Sequence, residues 1–85
     1  MYIIQIDNVN NIKNIGHSKR TYKEYKTFGR AKKAFIKMEQ DLEKQGFTLD
    51  NPYTEYLTES DTRSGEFFNL AIKAPNMVRL FLDRV

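Results

Sequence analysis

Cysteine is absent from this sequence, histidine occurs once, and no apolar run approaches the ~20 residues that cross a bilayer as a helix. Each absence removes a class of function. Without cysteine there is no disulfide framework, no thiolate metal site and no thiol nucleophile, a pattern compatible with a reducing cytoplasm. His17 stands in Gly16-His17-Ser18, a loop context in which one imidazole reads as a solvated side chain rather than a general base. No Gly-x-Ser-x-Gly elbow is present, and no glycine spacing with a following Lys-Ser or Lys-Thr builds a phosphate loop. A metal site needs three or four convergent ligands. Glu39, Asp41 and Glu43 follow one another at i, i+2 and i+4 of a predicted helix, so Asp41 points away from the other two. Glu55, Glu59 and Asp61 read as solvated acids. The expectation is a protein that is not an enzyme and needs no metal or cofactor. The start, Met1 to Asp7, lacks the basic and long apolar regions of a signal peptide. A cytoplasmic location and no membrane partner are therefore expected.

Acid is the scarce component in one part of the chain. From Lys13 to Lys37 nine Lys and Arg residues face only Glu24, a local charge of +8. From Glu39 to Glu66 eight acids face Lys44 and Arg63, a local charge of −6. The net +3 hides this separation. Charge asymmetry bears on partners and association rather than on fold.

The 85 residues are expected to make a single domain, 1–85. A chain this short buries only about 60–65% of its unfolded surface, so its stability margin is thin. Six Phe and five Tyr among 40% apolar residues suffice for a core. Lys, Asn, Ile, Tyr and Phe supply 34 of the 85 residues, a bias that accompanies AT-rich coding DNA.

Periodicity gives the elements. Residues 2–7 alternate, with Tyr2, Ile4 and Ile6 on one side, and predict a strand. Residues 8–18 are Asn-rich and predict a mobile loop. Residues 20–27 carry Thr21, Tyr22, Tyr25 and Thr27 and predict a second strand. Phe28, Ala31, Phe35, Met38 and Leu42 recur at spacings of three and four and predict a helix over about 28–45. Thr27 supplies the N-cap, and Gly46 followed by Phe47 supplies the C-terminal stop. Asn51-Pro52 signals a turn, Tyr53–Glu59 a third strand and Ser60–Gly65 a polar loop. Phe68, Leu70 and Ile72, alternating with Asn69, Ala71 and Lys73, predict a fourth strand. Residues 77–85 admit two readings. One is a strand after an Ala74-Pro75-Asn76 turn with Val78, Leu80 and Leu82 inward. The other is a short helix with Val78, Phe81, Leu82 and Val85 on one face. The β-formers and the tight turn favour the strand. The order β-β-α-β-β-β, with one helix packed on an antiparallel sheet, is a two-layer α+β domain. One helix covers one face of a sheet, so Ile3, Phe67 and Phe81, with some of the tyrosines, are candidates for a second face that meets water, a partner or a second copy of the chain.

The basic cluster is ordered. Arg30, Lys33, Lys37 and Lys44 fall within about 60° on the helical wheel, opposite the apolar stripe. Lys33 and Lys37 repel at i, i+4. Arg30, Lys32 and Lys33 crowd the N-terminal turns, where the macrodipole disfavours cations by about 0.3–1 kcal/mol each. The preceding strand adds Lys19, Arg20, Lys23 and Lys26, with Tyr22 and Tyr25 between them. Interleaved basic and aromatic residues can bind phosphates and stack bases. Lysines on an edge strand also block aggregation, and exposed charges are often merely solvated. Lys19, Arg20, Tyr22, Lys23, Tyr25, Arg30, Lys33, Lys37 and Lys44 are thus the candidate partner-binding or nucleic-acid-binding residues.

The run Tyr25-Lys26-Thr27-Phe28-Gly29-Arg30-Ala31-Lys32-Lys33-Ala34, closed by Gly46-Phe47 and followed by Tyr-rich segments, resembles many small phage-encoded α+β proteins. Some of these are anti-CRISPR inhibitors, which block the nucleic-acid site of an effector or dock on its surface. The resemblance lies in the general plan and carries over no functional residue. It implies a non-catalytic inhibitor or adaptor of a nucleic-acid-handling protein, working in a host cytoplasm. DNA-mimic inhibitors are strongly acidic, and here only residues 39–66 are acidic. Direct DNA or RNA binding, and a structural homodimer through the uncovered sheet face, are the competing expectations.

Overall fold

Among the residues described by a computed structural model, 1–13, 19–62 and 67–85, one helix packs on one antiparallel sheet, an α+β fold. The strands are β1 (Tyr2–Val9), β2 (Lys19–Tyr25), β3 (Thr48–Leu49), β4 (Phe67–Lys73) and β5 (Asn76–Arg84), and the helix is α1 (Phe28–Lys44). Across the sheet they stand in the order β2-β1-β5-β4-β3. His17, with the end of the expected 8–18 loop, and Arg63 and Glu66 lie outside the described residues.

The register follows from alternation. Tyr2, Ile4 and Ile6 of β1 sit opposite Arg84, Leu82 and Leu80 of β5, and Leu82 and Leu80 sit opposite Phe67 and Asn69 of β4. These rows face the helix. Ile4, Leu80, Leu82 and Ala71 are buried with Ala31 and Phe35 of α1. Phe35 meets Phe67 edge to face at 5.4 Å, and Phe28 meets Tyr2 at 5.8 Å, geometries that suit the ring quadrupoles.

Both helix ends form as the residues dictate. The Thr27 hydroxyl accepts from the Arg30 amide at 3.3 Å. At the other end Gly46 takes φ +96°, a left-handed conformation that a Cβ would strain. The Phe47 amide donates to the Leu42 carbonyl at 3.0 Å and the Gly46 amide to the Glu43 carbonyl at 3.0 Å. This pair of bonds is a Schellman motif. Lys73 Nζ donates to the Gln45 carbonyl at 2.8 Å, placing a cation at the negative end of the helix dipole.

Three expectations need correction. Residues 53–59 are not a strand. They form a short 3-10 turn, Thr54–Tyr56, with a second at Glu59–Thr62, and the third strand is the short Thr48–Leu49. The reason is local. Thr54 turns its hydroxyl into the core to reach Glu39, and Lys32 Nζ binds the carbonyls of Glu55 and Leu57 at 2.6 and 2.9 Å. Lys32 thereby satisfies two carbonyls that a sheet ladder would otherwise pair, and Thr54 ties the segment to the helix. In β4 the faces are reversed. Phe67, Asn69 and Ala71 turn to the helix and Phe68, Leu70 and Ile72 turn away, because Phe67 packs on Phe35 and Asn69 bonds Glu39. A one-residue change of register exchanges the whole set. The β1 strand also continues to Val9, two residues into the expected loop. Residues 76–84 are a strand, with Val78, Leu80 and Leu82 buried.

Candidate functional site

The basic residues divide between the two sides of the sheet. Register places Lys19, Thr21 and Lys23 of β2 beside Asn8, Ile6 and Ile4 of β1, on the side that carries the helix. All of β2 except Tyr25 is exposed, so this edge strand projects past the helix. The flank of α1 that carries Met38, Asp41, Leu42 and Gln45 borders Ile6, Asn8 and Val78, which turns that flank toward the β1–β2 side. Arg30 and Lys37 lie on the adjoining arc, with Lys33 and Lys44 outermost. Lys19, Lys23, Arg30, Lys33, Lys37 and Lys44 therefore form a ledge of exposed cations on the helix layer. Their one ion pair within α1 is Lys37 with Asp41 at 3.8 Å, both well exposed.

The other predicted members stand elsewhere. Tyr25 is half-buried and packs against the core, so its ring is not free to stack on a base. Tyr22, 60% exposed, and Arg20 lie on the open face of the sheet. Arg20 Nε donates to Asp7 Oδ1 at 2.8 Å and its Nη2 to Oδ2 at 3.3 Å. Arg79 Nη2 reaches the same carboxylate at 3.1 Å, and Gln5 Nε2 donates to it at 3.3 Å. Asp7 is fully buried under these groups. The Asp7 hydrogen bond holds the Arg20 guanidinium above its ordinary range. The interleaving of basic and aromatic residues along β2 thus does not survive folding as a single surface. A period of two sends Tyr22 away from Lys23 and Lys19. Lys32, counted among the dipole-opposing cations, holds the 3-10 segment instead.

On the other flank of α1, adjoining the ledge at Lys44, lies an acidic cleft of about 170 Å³ between α1 and the 51–55 segment, bordered by Glu39, Glu43, Glu55, Asn51 and Thr54. Glu39 is buried beneath it. Thr54 Oγ1 donates to Glu39 Oε2 at 2.6 Å, and Asn69 Nδ2 donates to the same oxygen. Burial pushes the Glu39 carboxyl above its usual range, and these two hydrogen bonds only partly oppose the shift. Asn69 also exchanges bonds with Asn51, donating to its carbonyl and accepting from its amide at 2.9 Å each. The cluster joins helix, sheet and connecting segment. Asp61, by contrast, is exposed and held below its usual range by the amide and hydroxyl of Thr58, the expected behaviour of a carboxylate closing a short turn.

Among the described residues no three His, Cys, Asp or Glu side chains converge in a way that could hold a metal ion. Among the same residues no helix is long and apolar enough to cross a membrane. Residue-by-residue reading of the sequence missed Asp7, Arg79 and Phe68. The signal was present as a repeated pattern, Arg20-x-Tyr22-x-Glu24 and Arg79-x-Phe81-x-Asp83, whose odd-and-even spacing puts all six side chains on one face.

The fold and its surfaces define a class, a two-layer α+β protein with a cationic helix layer and a second sheet face that no helix covers among the described residues. Beyond that class the chain matches no protein-family model, no curated protein and no solved structure.

Proposed function

We propose that this chain is a small non-catalytic binding protein that docks through its cationic ledge on an acidic macromolecular surface. The reading that fits best is an inhibitor or adaptor of a nucleic-acid-handling protein, of the anti-CRISPR-like kind, encoded by a phage or mobile element and working in the host cytoplasm. The observation that supports it is the separation of cations from aromatics. Lys19, Lys23, Arg30, Lys33, Lys37 and Lys44 share the helix layer, while Tyr22 lies on the opposite face and Tyr25 packs inward. A surface built of mobile cations without stacking rings suits an acidic protein patch, where charge gives orientation and fast association.

Direct binding to nucleic-acid phosphates is the second reading, supported by the number of exposed cations on that layer. Salt dependence separates the two. Binding to duplex DNA through phosphates would weaken with a slope of about −0.9 per phosphate neutralised. The deciding experiment is capture of partners from the source cell with and without nuclease, beside a duplex titration at low salt. A protein partner that survives nuclease, with no duplex binding, is the expected result. Loss of every partner on nuclease treatment, with steep salt-dependent duplex binding, would establish the second reading instead. Replacing Arg30, Lys33 and Lys37 with Gln abolishes binding in either case, and unchanged binding would remove the ledge from both.

A further inference from the structure

The open face of the sheet is organised in rows. Tyr22, Gln5, Phe81 and Phe68 stand side by side on β2, β1, β5 and β4. The Phe68 and Phe81 rings lie 5.0 Å apart, and Phe68 is 42% exposed although it is a large apolar side chain. Two residues along the strands on one side, Glu24, Ile3 and Asp83 form the next row. Two residues along on the other side, Arg20, Asp7, Arg79 and Leu70 form another. An aromatic row is thus flanked by acids on one side and guanidinium groups on the other, on the same two strands.

That arrangement is complementary to itself. A two-fold axis along the aromatic row reverses position along the strands and leaves each strand over its own copy. Glu24 then lies over Arg20 of the second copy, and Asp83 over Arg79. The aromatic rows meet at the axis, and Ile3 lies over the Asp7 position of the second copy, between its two arginines. An isologous interface requires a patch that satisfies itself in this way. The charges support it further. Two guanidiniums share the single Asp7 carboxylate, leaving a surplus positive charge on the open face. Glu24 and Asp83 make no ion pair among the described residues. The unmatched charges of one copy are those that the other copy brings into place. Sheets packed face to face stand about 10 Å apart with strands within about 30°, a gap that Arg, Glu and Phe side chains fill.

We propose that the open face is the interface of a homodimer, with the row of Tyr22, Gln5, Phe81 and Phe68 on the two-fold axis. Both helix layers then point outward, so the cationic ledges stay free and the proposal stands independently of what they bind. Arg20 and Tyr22 become interface residues rather than members of the ledge. The four strands and five residue positions involved cover roughly 19 by 17 Å by strand spacing. This is small beside the ~800 Å² per partner of a standard interface, so the dimer belongs to the micromolar class.

Light scattering and sedimentation of the full chain across the micromolar range test this. The expected result is a mass that rises with concentration from one chain to two. Phe68→Asp should remain monomeric throughout, with dissociation at least ~30-fold weaker, the effect of losing a central aromatic contact. Asp83→Lys, at a half-buried position away from the core, should weaken the dimer ~10-fold while leaving the circular dichroism spectrum and thermal unfolding of the monomer unchanged. Because it leaves the apolar row intact, it carries the test if Phe68→Asp fails to fold. A chain that stays monomeric at every concentration, as expected if a different protein covers the face, overturns the proposal. So does a dimer that persists in Phe68→Asp, which would then use the exposed edge of β2, and so does a dimer indifferent to Asp83→Lys.

Discussion

The two faces of one sheet, made by the same strands, differ in what completes them. The helix side carries Ile4, Leu80, Leu82 and Ala71 sealed under Ala31 and Phe35. The open side carries Phe68, Ile72 and Tyr22 at 42%, 38% and 60% exposure, with one buried carboxylate held between two arginines. Hydrophobicity alone does not separate them, since both contain Phe and Ile. What separates them is whether the molecule itself supplies a second layer. The helix side closes within the chain. The open side is held in order by charge, through Asp7, and leaves Phe68 and Tyr22 exposed. Most of the buried apolar surface therefore lies on one face, and the exposed aromatics lie on the other.

Substitutions can break this contrast. The largest effect is expected at Phe35→Ala, which empties the centre of the covered face and should cost about 3–5 kcal/mol in urea unfolding. A loss near that seen at exposed positions would mean that the helix does not close the core. Asp7→Asn should come next, at about 1–3 kcal/mol, because it removes the charge that Arg20 and Arg79 share while their donors stay part-buried. A neutral outcome would show the open face to be ordered by its apolar groups alone. Phe68→Ser should change monomer stability by less than about 1 kcal/mol, since its ring is already half in water. A core-sized cost there would erase the distinction between the faces. Replacing Arg30, Lys33 and Lys37 together with Gln should alter unfolding by no more than about 0.5 kcal/mol, because exposed charges contribute little, and a slight gain is expected from removing like charges near the helix N-terminus.

The smallest effect is a pH dependence on the covered face. Glu39 has a folded-state carboxyl raised above its unfolded value by burial. A group of that sign favours folding while protonated, and the benefit is lost as pH rises through the folded value. Compared with Glu39→Gln, the wild-type protein should therefore gain unfolding midpoint as pH falls from ~7 toward ~4. A difference that is flat over that range would mean that Glu39 is not desolvated by the Thr54–Asn69 cluster. Asp61, with its lowered value, acts in the opposite direction and only at lower pH, below the ordinary carboxylate range.

Legibility in the sequence tracked how local each feature is. The helix was readable because its stripe, its Thr27 cap and its Gly46 stop lie within one turn of the residues they govern. The alternation in β1 and β5 named their inward sides correctly because each strand has one side much more apolar than the other. β4 failed that test. Alternation favours Phe68, Leu70 and Ile72, the more apolar set, as the inward side, and only Phe35 and Glu39, ~30 residues away, turn Phe67, Asn69 and Ala71 inward instead. The Tyr53–Glu59 segment has β-forming composition, but Thr54 and Lys32 bind it into turns through contacts that composition does not record. The basic set divides as a surface, because Arg20 and Tyr22 fall on one side of a strand whose other side, with Lys19 and Lys23, joins the ledge.

The sequence by itself determined the helix and its ends, the α+β class, the strong separation of charge along the chain and the apolar sides of the first and last strands. These depend on interactions between residues a few positions apart, whose energies are set by the side chains present. The tertiary structure decided the register of β4, the identity of the third strand, the burial of Glu39 and Asp7, and which cations share a face. Those depend on pairings between segments distant in sequence. Their outcome is set by which of several locally acceptable arrangements lets the buried groups of another element find their partners.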